Sequence, residues 1–193
     1  MLRRLALAVL LLVAALPALA GWKEGDAAYS RRDYATAFRE FKPLAEKGDA
    51  DAQYNLARMF YSGLGVRSNV GEAVKWWRRA AEQGHVKAQF RLGDIFFHGF
   101  GVPKNYGEAA KWWRRSAEQG HVDAQSGLGM LYEAGRGVPR NSVLAYMWTS
   151  LSAAQGNAVA EVVLDAMEKR MTPADVSKAQ EMAAKWRPKK AKR

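Results

Sequence analysis

The stretch that decides the fold is HVKAQFRLGDIFFHGFGVPKNYGEAAKWWRRSAEQG, residues 85–120. Residues 49–84 and 121–156 match it position by position, without an insertion or a deletion. Three markers recur every 36 residues: an Ala-Gln pair, a Gly-x-Gly loop, and Asn, Ala and Trp at a fixed spacing. They occupy Ala52-Gln53, Ala88-Gln89 and Ala124-Gln125; Gly63 and Gly65, Gly99 and Gly101, Gly135 and Gly137; Asn69, Ala73 and Trp76, Asn105, Ala109 and Trp112, Asn141, Ala145 and Trp148. A fixed period of this length is typical of a solenoid, in which each repeat buries its apolar face only against its neighbours.

The first half of each repeat predicts one helix. In the middle copy, Ala88, Leu92 and Phe96 lie four residues apart, which places them on one apolar face of a helix over residues 86–98. Gly99 is expected to end this helix, because a residue without a Cβ takes the left-handed conformation readily.

The second half of each repeat predicts an antiparallel partner helix, running to about residue 119 in the middle copy. Asn105 is the expected N-cap, and Glu108, three residues on, matches the second member of a capping box. The apolar face of this helix recurs in two copies, as Ala73, Trp76, Trp77, Ala80 and Ala81 and as Ala109, Trp112, Trp113, Ser116 and Ala117. Small residues beside large aromatics allow close helix packing.

The ends of the chain differ from its middle, as the terminal repeats of a solenoid should. Residues 21–48 are expected to form a degenerate N-terminal helix pair, and residues 157–187 a C-terminal capping pair. In the latter, Thr172 before Pro173 is a strong helix start. The sequence therefore predicts an all-α fold: a right-handed α-solenoid of about ten helices in five antiparallel pairs, without strands.

The first 20 residues predict a secretory signal peptide. Arg3 and Arg4 form its positive region, residues 5–16 are apolar, and Ala18-Leu19-Ala20 is a small-residue cleavage site. The apolar run is too short for a transmembrane helix, which needs about 20 residues. We therefore expect cleavage after Ala20 and a periplasmic or secreted protein; an uncleaved anchor is the alternative. The chain has no Cys, so no disulfide framework is expected in that compartment.

The formal charge of +11 is concentrated at the C-terminus, where residues 187–193 carry five positive charges. Residues 188–193 are expected to form a disordered basic tail. A basic chain first suggests nucleic acid as a partner, but the export signal argues against it. Weak contact of the tail with anionic lipid is the better expectation.

The repeat resembles the Sel1-like repeat, a relative of the tetratricopeptide repeat with longer loops. The resemblance is carried by Gly84-His85-x-x-Ala88-Gln89-x-x-Leu92-Gly93-x-x-Phe96-x-x-Gly99-x-Gly101-Val102, followed by Asn105-x-x-Glu108-Ala109-x-x-Trp112-Trp113-x-x-Ser116-Ala117-Glu118-Gln119-Gly120. It implies an α-solenoid that serves as an adaptor or scaffold, often exported in bacteria. Cysteine-rich relatives have penicillin-binding and weak β-lactamase activity, but this precedent transfers poorly to a chain without Cys.

Candidate chemistry in the sequence is weak. The Gly-x-Gly pairs follow helices rather than strands and have no third glycine, so they do not predict a dinucleotide site. His85 and His121 occupy equivalent repeat positions, at least about 8–10 Å apart, and cannot share a metal ion that needs both nitrogens at about 2 Å. The two Lys-Trp-Trp-Arg-Arg segments could stack nucleic-acid bases, but their tryptophans are expected on the buried face. No enzyme activity, metal or cofactor is expected.

The remaining candidate site is the concave face of the solenoid. By resemblance to tetratricopeptide repeats, it is lined by the non-core positions of each first helix. The candidate partner-binding residues are Tyr54, Arg58, Tyr61, Phe90, Asp94, Phe97, Met130 and Glu133, with Ser126 at an equivalent position. Aromatic residues and Arg dominate interface energetics, so this strip fits a docked peptide. Burial of half of these side chains against adjacent helices is the alternative.

These features predict an exported, monomeric scaffold that binds a protein or peptide partner through its concave face. One alternative is an envelope-associated hydrolase acting on cell-wall or β-lactam substrates, although no serine lies in a nucleophile-elbow motif. A second alternative is a structural protein attached to an anionic membrane through its basic tail.

Overall fold

The computed structural model describes residues 21–189, and within that range the chain is helical and contains no strand. Ten helices follow one another: α1 (21–30), α2 (Tyr34–Glu46), α3 (Ala50–Ser62), α4 (Val70–Glu82), α5 (Val86–His98), α6 (Tyr106–Glu118), α7 (Val122–Ala134), α8 (Ser142–Ala153), α9 (Ala158–Glu168) and α10 (Pro173–Lys185). The predicted all-α class and helix number are therefore confirmed. The expected signal peptide, residues 1–20, and the last four residues of the expected tail lie outside the described residues.

The chain divides into two compact units, with the boundary inside α4. The first unit ends at Ala80, and its core is built by α1, α2 and α3 together with their aromatic neighbours. Its fully buried side chains include Phe41, Leu56 and Met59. Trp22 of α1 lies against Phe41, with 5.3 Å between ring centroids. Its indole N–H also donates to Asp49, which joins the first helix to the start of α3.

The second unit contains α5 to α10 and has one continuous core. The side chain of Ser116, near the end of α6, donates to the carbonyl of Val86 at the start of α5. At the other end, the backbone N–H of Asn105 donates to the carbonyl of Phe96 over 2.8 Å. These two contacts make α5 and α6 an antiparallel pair. Ser152 and Asn141 make the same contacts between α8 and α7.

The Asn105 contact also explains why the expected capping box is only half formed. The Asn105 side chain accepts from the backbone N–H of Glu108, as predicted. The Asn105 backbone N–H is already used by Phe96, so it does not take the Glu108 carboxylate. That carboxylate instead accepts from the indole N–H of Trp112 over 3.0 Å. The cap thus closes the helix pair as well as starting α6.

Trp113 shows how neighbouring pairs are packed in the second unit. A Cβ added at Gly93 of α5 would lie 2.1 Å from the indole of Trp113, and one added at Gly127 of α7 would lie 2.9 Å from it. Real side chains essentially never approach so closely, so both glycines are needed for the ring to lie between these helices. Trp112 is also buried, as expected, whereas Trp76 at the equivalent position is only half-buried. On α5, Ile95 rather than Phe96 completes the buried face.

The recurrent buried glutamines Gln89 and Gln125 each hydrogen-bond to a glutamine 30 residues later, a role that the sequence did not indicate. Gln89 donates to the carbonyl of Ala81 and accepts from the side chain of Gln119 over 2.8 Å. One repeat later, Gln125 donates to Ala117 and accepts from Gln155, also over 2.8 Å. Because a buried amide without partners is costly, these bonds fix the register of successive pairs.

The C-terminal helices α9 and α10 both pack against α8. Trp186, at the end of α10, meets Trp148 of α8 edge to face. Beyond it, the backbone N–H of Lys189 donates to the carbonyl of Glu118, and its ammonium pairs with the Glu118 carboxylate over 2.9 Å. The first two residues of the expected disordered tail are therefore attached to the end of α6.

Candidate functional site

The candidate residues of the first unit form a cluster of phenols around one guanidinium. Arg58 donates to the hydroxyl of Tyr29 over 3.0 Å and lies 5.8 Å from the ring centroid of Tyr54. Tyr61, with 37% of its surface exposed, packs on Trp77 with the two rings tilted by 50°. The structure therefore brings Tyr54 and Arg58 together, and Arg58 is already held by Tyr29.

The candidate residues of α5 are half-buried and have intramolecular neighbours. Phe90 stacks on His121 at 4.4 Å between ring centroids. Phe97 packs between Tyr106 and Trp113, 5.4 and 5.1 Å away. Asp94 pairs with Arg91 over 3.5 Å. Burial raises the pKa of the Asp94 carboxyl above its usual value, and the Arg91 guanidinium opposes that shift.

The candidates of α7 differ from one another in availability. Met130 has 47% of its surface exposed, which makes it the most accessible member of the predicted strip in this unit. Ser126 is half-buried, and Glu133 pairs with Arg170 over 3.3 Å and with Arg140 over 3.9 Å. Met130 thus presents apolar surface beside a carboxylate that two arginines neutralise.

His85 and His121, considered above as metal ligands, act as helix N-caps. The Nδ1 atom of His85 accepts from the backbone N–H of Ala88 over 3.1 Å, and His121 accepts from Ala124 over 3.4 Å. Asp49 and Asn157 cap α3 and α9 at the equivalent positions of the repeat. Among residues 21–189, no group of three or more potential metal ligands occurs.

In both Lys-Trp-Trp-Arg-Arg segments, a cation lies over a tryptophan ring of the same segment. The Arg115 guanidinium lies 4.8 Å from the ring centroid of the buried Trp112, and Lys111 lies 5.3 Å from it. Arg114 donates to the hydroxyl of Tyr132 over 2.9 Å. These contacts explain the mixture of bases and aromatics by packing within the chain.

The Gly-x-Gly loops have two different glycine roles, where the sequence indicated only helix termination. Gly135 adopts the left-handed conformation and ends α7, as expected. Gly137 lies directly on the start of α6, since a Cβ there would be 2.2 Å from the carbonyl oxygen of Tyr106. In the first unit, Gly65 lies on Tyr34 at the same 2.2 Å. In these two loops, the second glycine therefore holds the loop against the start of an earlier helix.

The residue between the two glycines differs in every copy, and the predicted strip did not include it. It is Leu64, Phe100 and Arg136 in chain order. Leu64 is half-buried in the aromatic core of the first unit, whereas Phe100 has 51% of its surface exposed and Arg136 is exposed. The strip was chosen by resemblance to tetratricopeptide repeats, which covers only the first helices; variation between otherwise identical copies would have found this position.

In the second unit, these loops bring together a surface that we call the loop-end strip, made of His98, Phe100, Lys104, Tyr106 and Arg136. Phe100 stacks on His98 with 4.9 Å between ring centroids. The Arg136 guanidinium lies 5.4 Å from the centroid of the Tyr106 ring, and the Lys104 ammonium lies 5.9 Å from it. Phe97 joins the two groups, since it contacts both His98 and Tyr106. The strip combines exposed aromatic surface with two cations.

Two other surfaces of the second unit are notable. A cleft of about 350 Å³ is lined by residues of α9 and α10, including Glu168, Met171 and Gln180. Beside it, the Glu168 carboxylate accepts from the hydroxyl of Tyr146, and burial raises the pKa of that hydroxyl. On the same helix α9, Val159 and Val162 are largely exposed. No helix within residues 21–189 is long and apolar enough to cross a membrane.

The sequence model of the Sel1 repeat family matches the chain three times, over residues 50–85, 86–121 and 122–157. The chain belongs to the Sel1 repeat family. Proteins built from these repeats are typically non-enzymatic scaffolds, and the fold is generally one for protein–protein interaction. No curated protein matches this Sel1 repeat chain.

Two solved structures of Sel1-type proteins are similar to the chain. One is a protective antigen present in uropathogenic Escherichia coli strains displaying an SLR fold, 34% identical with a TM-score of 0.74, over 87% of this chain and 37% of that one. The other is a Sel1 repeat protein from Oxalobacter formigenes, 31% identical with a TM-score of 0.73, over 83% of this chain and 68% of that one. The chain thus spans 37% of the length of the E. coli protein.

Proposed function

We propose that the chain is an exported adaptor that binds a protein or peptide through the outward side chains of its first helices. The observation that carries this proposal is the division of labour within each repeat. Positions that are identical between copies, such as Ala88 and Gln89, are buried. Positions that differ, such as Tyr61 and Met130, leave large apolar side chains exposed.

The chemistry of the strip supports a peptide or protein as the occupant. Half-buried Phe90 and Phe97 of α5 supply rigid aromatic surface. Met130, on the next first helix, α7, supplies an adaptable and exposed apolar side chain. In the first unit, Arg58 lies over the rings of Tyr29 and Tyr54 and adds a cation to the aromatic surface. Binding would come from shape and a few central side chains, with no covalent step and no cofactor.

A site-specific photo-crosslinker tests the proposed interface. We would place p-benzoylphenylalanine at Met130 in the full chain, express it in the native host, and identify captured proteins by mass spectrometry. The matched control carries the same group at Ala184, which is exposed on α10. We expect a partner that is captured at Met130 and not at Ala184. Capture at neither position, or equally at both, would contradict the proposed interface.

Export is a separate part of the proposal and has its own test. N-terminal sequencing of the protein recovered from a periplasmic extract and from the culture medium should begin at Gly21. An intact N-terminus in the cytoplasmic fraction would contradict export while leaving the interface untouched. Labelling by a fluorescent penicillin or a serine-hydrolase probe would instead favour the hydrolase alternative.

A further inference from the structure

The loop-end strip has two cations without an acidic partner. Neither Lys104 nor Arg136 makes an ion pair with any residue in the described range, 21–189. Nearby arginines behave differently, since Arg140 and Arg170 both pair with Glu133. Lys104 and Arg136 both lie over the same phenol ring, that of Tyr106. Their charges are therefore available to an anionic partner and are directed to one small area.

The fold fixes the position of both cations. Arg136 lies between Gly135 and Gly137, and Gly137 packs on the backbone of Tyr106 itself. Lys104 is held at the other side of its own loop, because its Cβ lies 3.3 Å from where a Cβ at Gly99 would be. The side chains can move, but their attachment points are part of the repeat frame. A partner bound here therefore meets a preorganised site rather than a loose loop.

The strip also has an apolar element. Phe100 is half exposed and stacks on His98, so one face of the aromatic pair is in solvent. Through His98 and Phe97, this ring is connected to the Tyr106 ring that carries the two unpaired cations. Such a surface is complementary to a short segment that carries carboxylates and one apolar side chain. Extended peptides advance about 3.3 Å per residue, so a few residues would span this group.

We propose that the loop-end strip binds an acidic peptide segment of a partner protein, with its carboxylates on Lys104 and Arg136 and an apolar side chain on Phe100. This inference rests on the proposed function, since it names the chemistry of the partner. The surface it assigns differs from the outward side chains of the first helices. A nucleic acid or an anionic membrane needs a broader array of cations than two charges around one ring.

The first unit supplies an internal comparison. The pair equivalent to Tyr106 and Arg136 is Tyr34 and Leu64, and Leu64 packs into the aromatic core there. The residue two positions before Tyr34, where Lys104 stands before Tyr106, is Arg32. The same loop frame thus lacks the cation between the two glycines in the first unit, where Leu64 replaces Arg136. Recognition of acidic segments is therefore assigned to the second unit.

A displayed library of random peptides tests this inference on the full chain. The library is selected in parallel on the wild-type protein and on the double variant Lys104→Glu/Arg136→Glu. Peptides that only the wild-type protein retains should be enriched in Asp and Glu, with at least one large apolar residue. Retained peptides without this enrichment, or identical selections on the two proteins, would overturn the inference.

Affinity measurements on the most enriched peptide give the contribution of each residue. By fluorescence anisotropy, Lys104→Ala, Arg136→Ala and Phe100→Ala should each weaken binding at least about fivefold. Lys87→Ala removes the same charge at the opposite end of α5 and should change the affinity by less than about twofold. Raising the salt concentration should weaken binding, because ions screen the carboxylate contacts.

Two further outcomes separate this inference from the proposed function. If selected peptides lose affinity with Met130→Ala but not with Arg136→Ala, the loop-end assignment fails and the first-helix interface stands. If phosphatidylglycerol vesicles bind the wild-type protein, and Lys104→Ala/Arg136→Ala abolishes that binding, the peptide assignment also fails. Failure of the Met130 crosslinker with success of the peptide selection would instead overturn the first-helix interface alone.

Discussion

The loop at residues 63–65 in the first unit and the loop at residues 135–137 in the second share a backbone and differ in what they present. Both place a left-handed glycine at the end of a helix and a second glycine on the backbone of an earlier helix. Between the glycines, the first loop buries Leu64 partly among aromatic side chains, whereas the second holds Arg136 over the Tyr106 ring in solvent. One frame therefore serves as core in one unit and as surface in the other.

This comparison separates two kinds of position within a repeat. Frame positions keep their residue type because a close contact with backbone, or a hydrogen bond of a buried amide, requires that residue. Display positions change freely because their side chains project from that frame. Function in a solenoid is expected at display positions, and the frame decides how rigidly they are held. Four changes test this separation, beginning with the frame.

The largest effect is expected for Gly137→Ala. Its left-handed conformation, at φ +70°, costs a residue with a Cβ about 1–2 kcal/mol. Overlap with the Tyr106 carbonyl should add about 1–3 kcal/mol, because the backbone must shift. Gly65→Ala, on Tyr34, should behave alike in the first unit. The free energy of unfolding in urea measures both.

Gly156→Ala is the matched control for this substitution. Gly156 also has a positive φ, +86°, but a Cβ there would meet nothing within 4 Å. It should lose only the conformational part, about 1–2 kcal/mol. Equal losses for Gly137→Ala and Gly156→Ala would show that the close approach to Tyr106 is unimportant.

The second effect concerns the buried amides. Gln89→Leu should lower the free energy of unfolding by about 1–3 kcal/mol, since the carbonyl of Ala81 and the amide of Gln119 would both lose a partner. Urea denaturation measures it. Gln180→Leu removes an exposed glutamine on α10 whose amide makes only a long hydrogen bond, 3.5 Å, to the Tyr146 hydroxyl. It should change stability by less than about 0.5 kcal/mol. If Gln89→Leu leaves the free energy of unfolding unchanged, Gln89 is not a frame position.

The third effect is a pH dependence specific to the second unit. The first unit caps α3 with Asp49, whereas α7 is capped by neutral His121, whose Nδ1 must accept a hydrogen bond. Burial lowers the folded-state pKa of His121 below 6.5, and nearby Asp123 opposes that shift. The unfolded chain therefore binds this proton more readily, so the cap's contribution is complete above pH 6.5 and is lost as the pH falls through the lower folded value.

His121→Asn isolates this cap, because Asn157 caps α9 at the equivalent position without titrating. Between about pH 7.5 and pH 5, the wild-type protein should lose about 1 kcal/mol more stability than the variant. Urea denaturation at the two pH values measures the difference. Parallel losses in both proteins would mean that the cap at His121 does not control acid stability.

The smallest effect on stability is expected for Arg136→Leu, which gives the second unit the residue of the first. The cation over Tyr106 contributes about 0.5–1 kcal/mol at an exposed site, and a leucine on the same ring should recover part of it. A change below about 1 kcal/mol in urea denaturation is expected. A larger loss would make Arg136 a frame residue rather than a display residue.

Much of the fold follows from the sequence because its signals are local. The helix over 86–98 and the cap at Asn105 depend on spacing and on a single side chain, and both are observed as predicted. The second half of the expected capping box is absent because Asn105 bonds Phe96 on another helix. The exact buried face of α5, with Ile95 in place of Phe96, likewise depends on neighbouring helices.

The predicted strip shows the same limit. Its residues were chosen as non-core positions of the first helices by resemblance to tetratricopeptide repeats. The structure leaves Met130 and Tyr61 exposed but engages Phe97 and Arg58 within the chain. The loop-end strip was missed because Lys104 and Arg136 are 32 positions apart in the sequence. Only the packing of one loop on the helix of another pair brings their charges to the same ring.

The sequence alone determined the repeat, the helix ends and the family, because periodicity, caps and glycines act within a few residues of one another. The tertiary structure decided which glycine makes a close contact, which glutamines pair across repeats, and which variable side chains reach solvent. These depend on distances between segments far apart in the chain. At such contacts a single Cβ or an unpaired amide changes the free energy by amounts that no local pattern records.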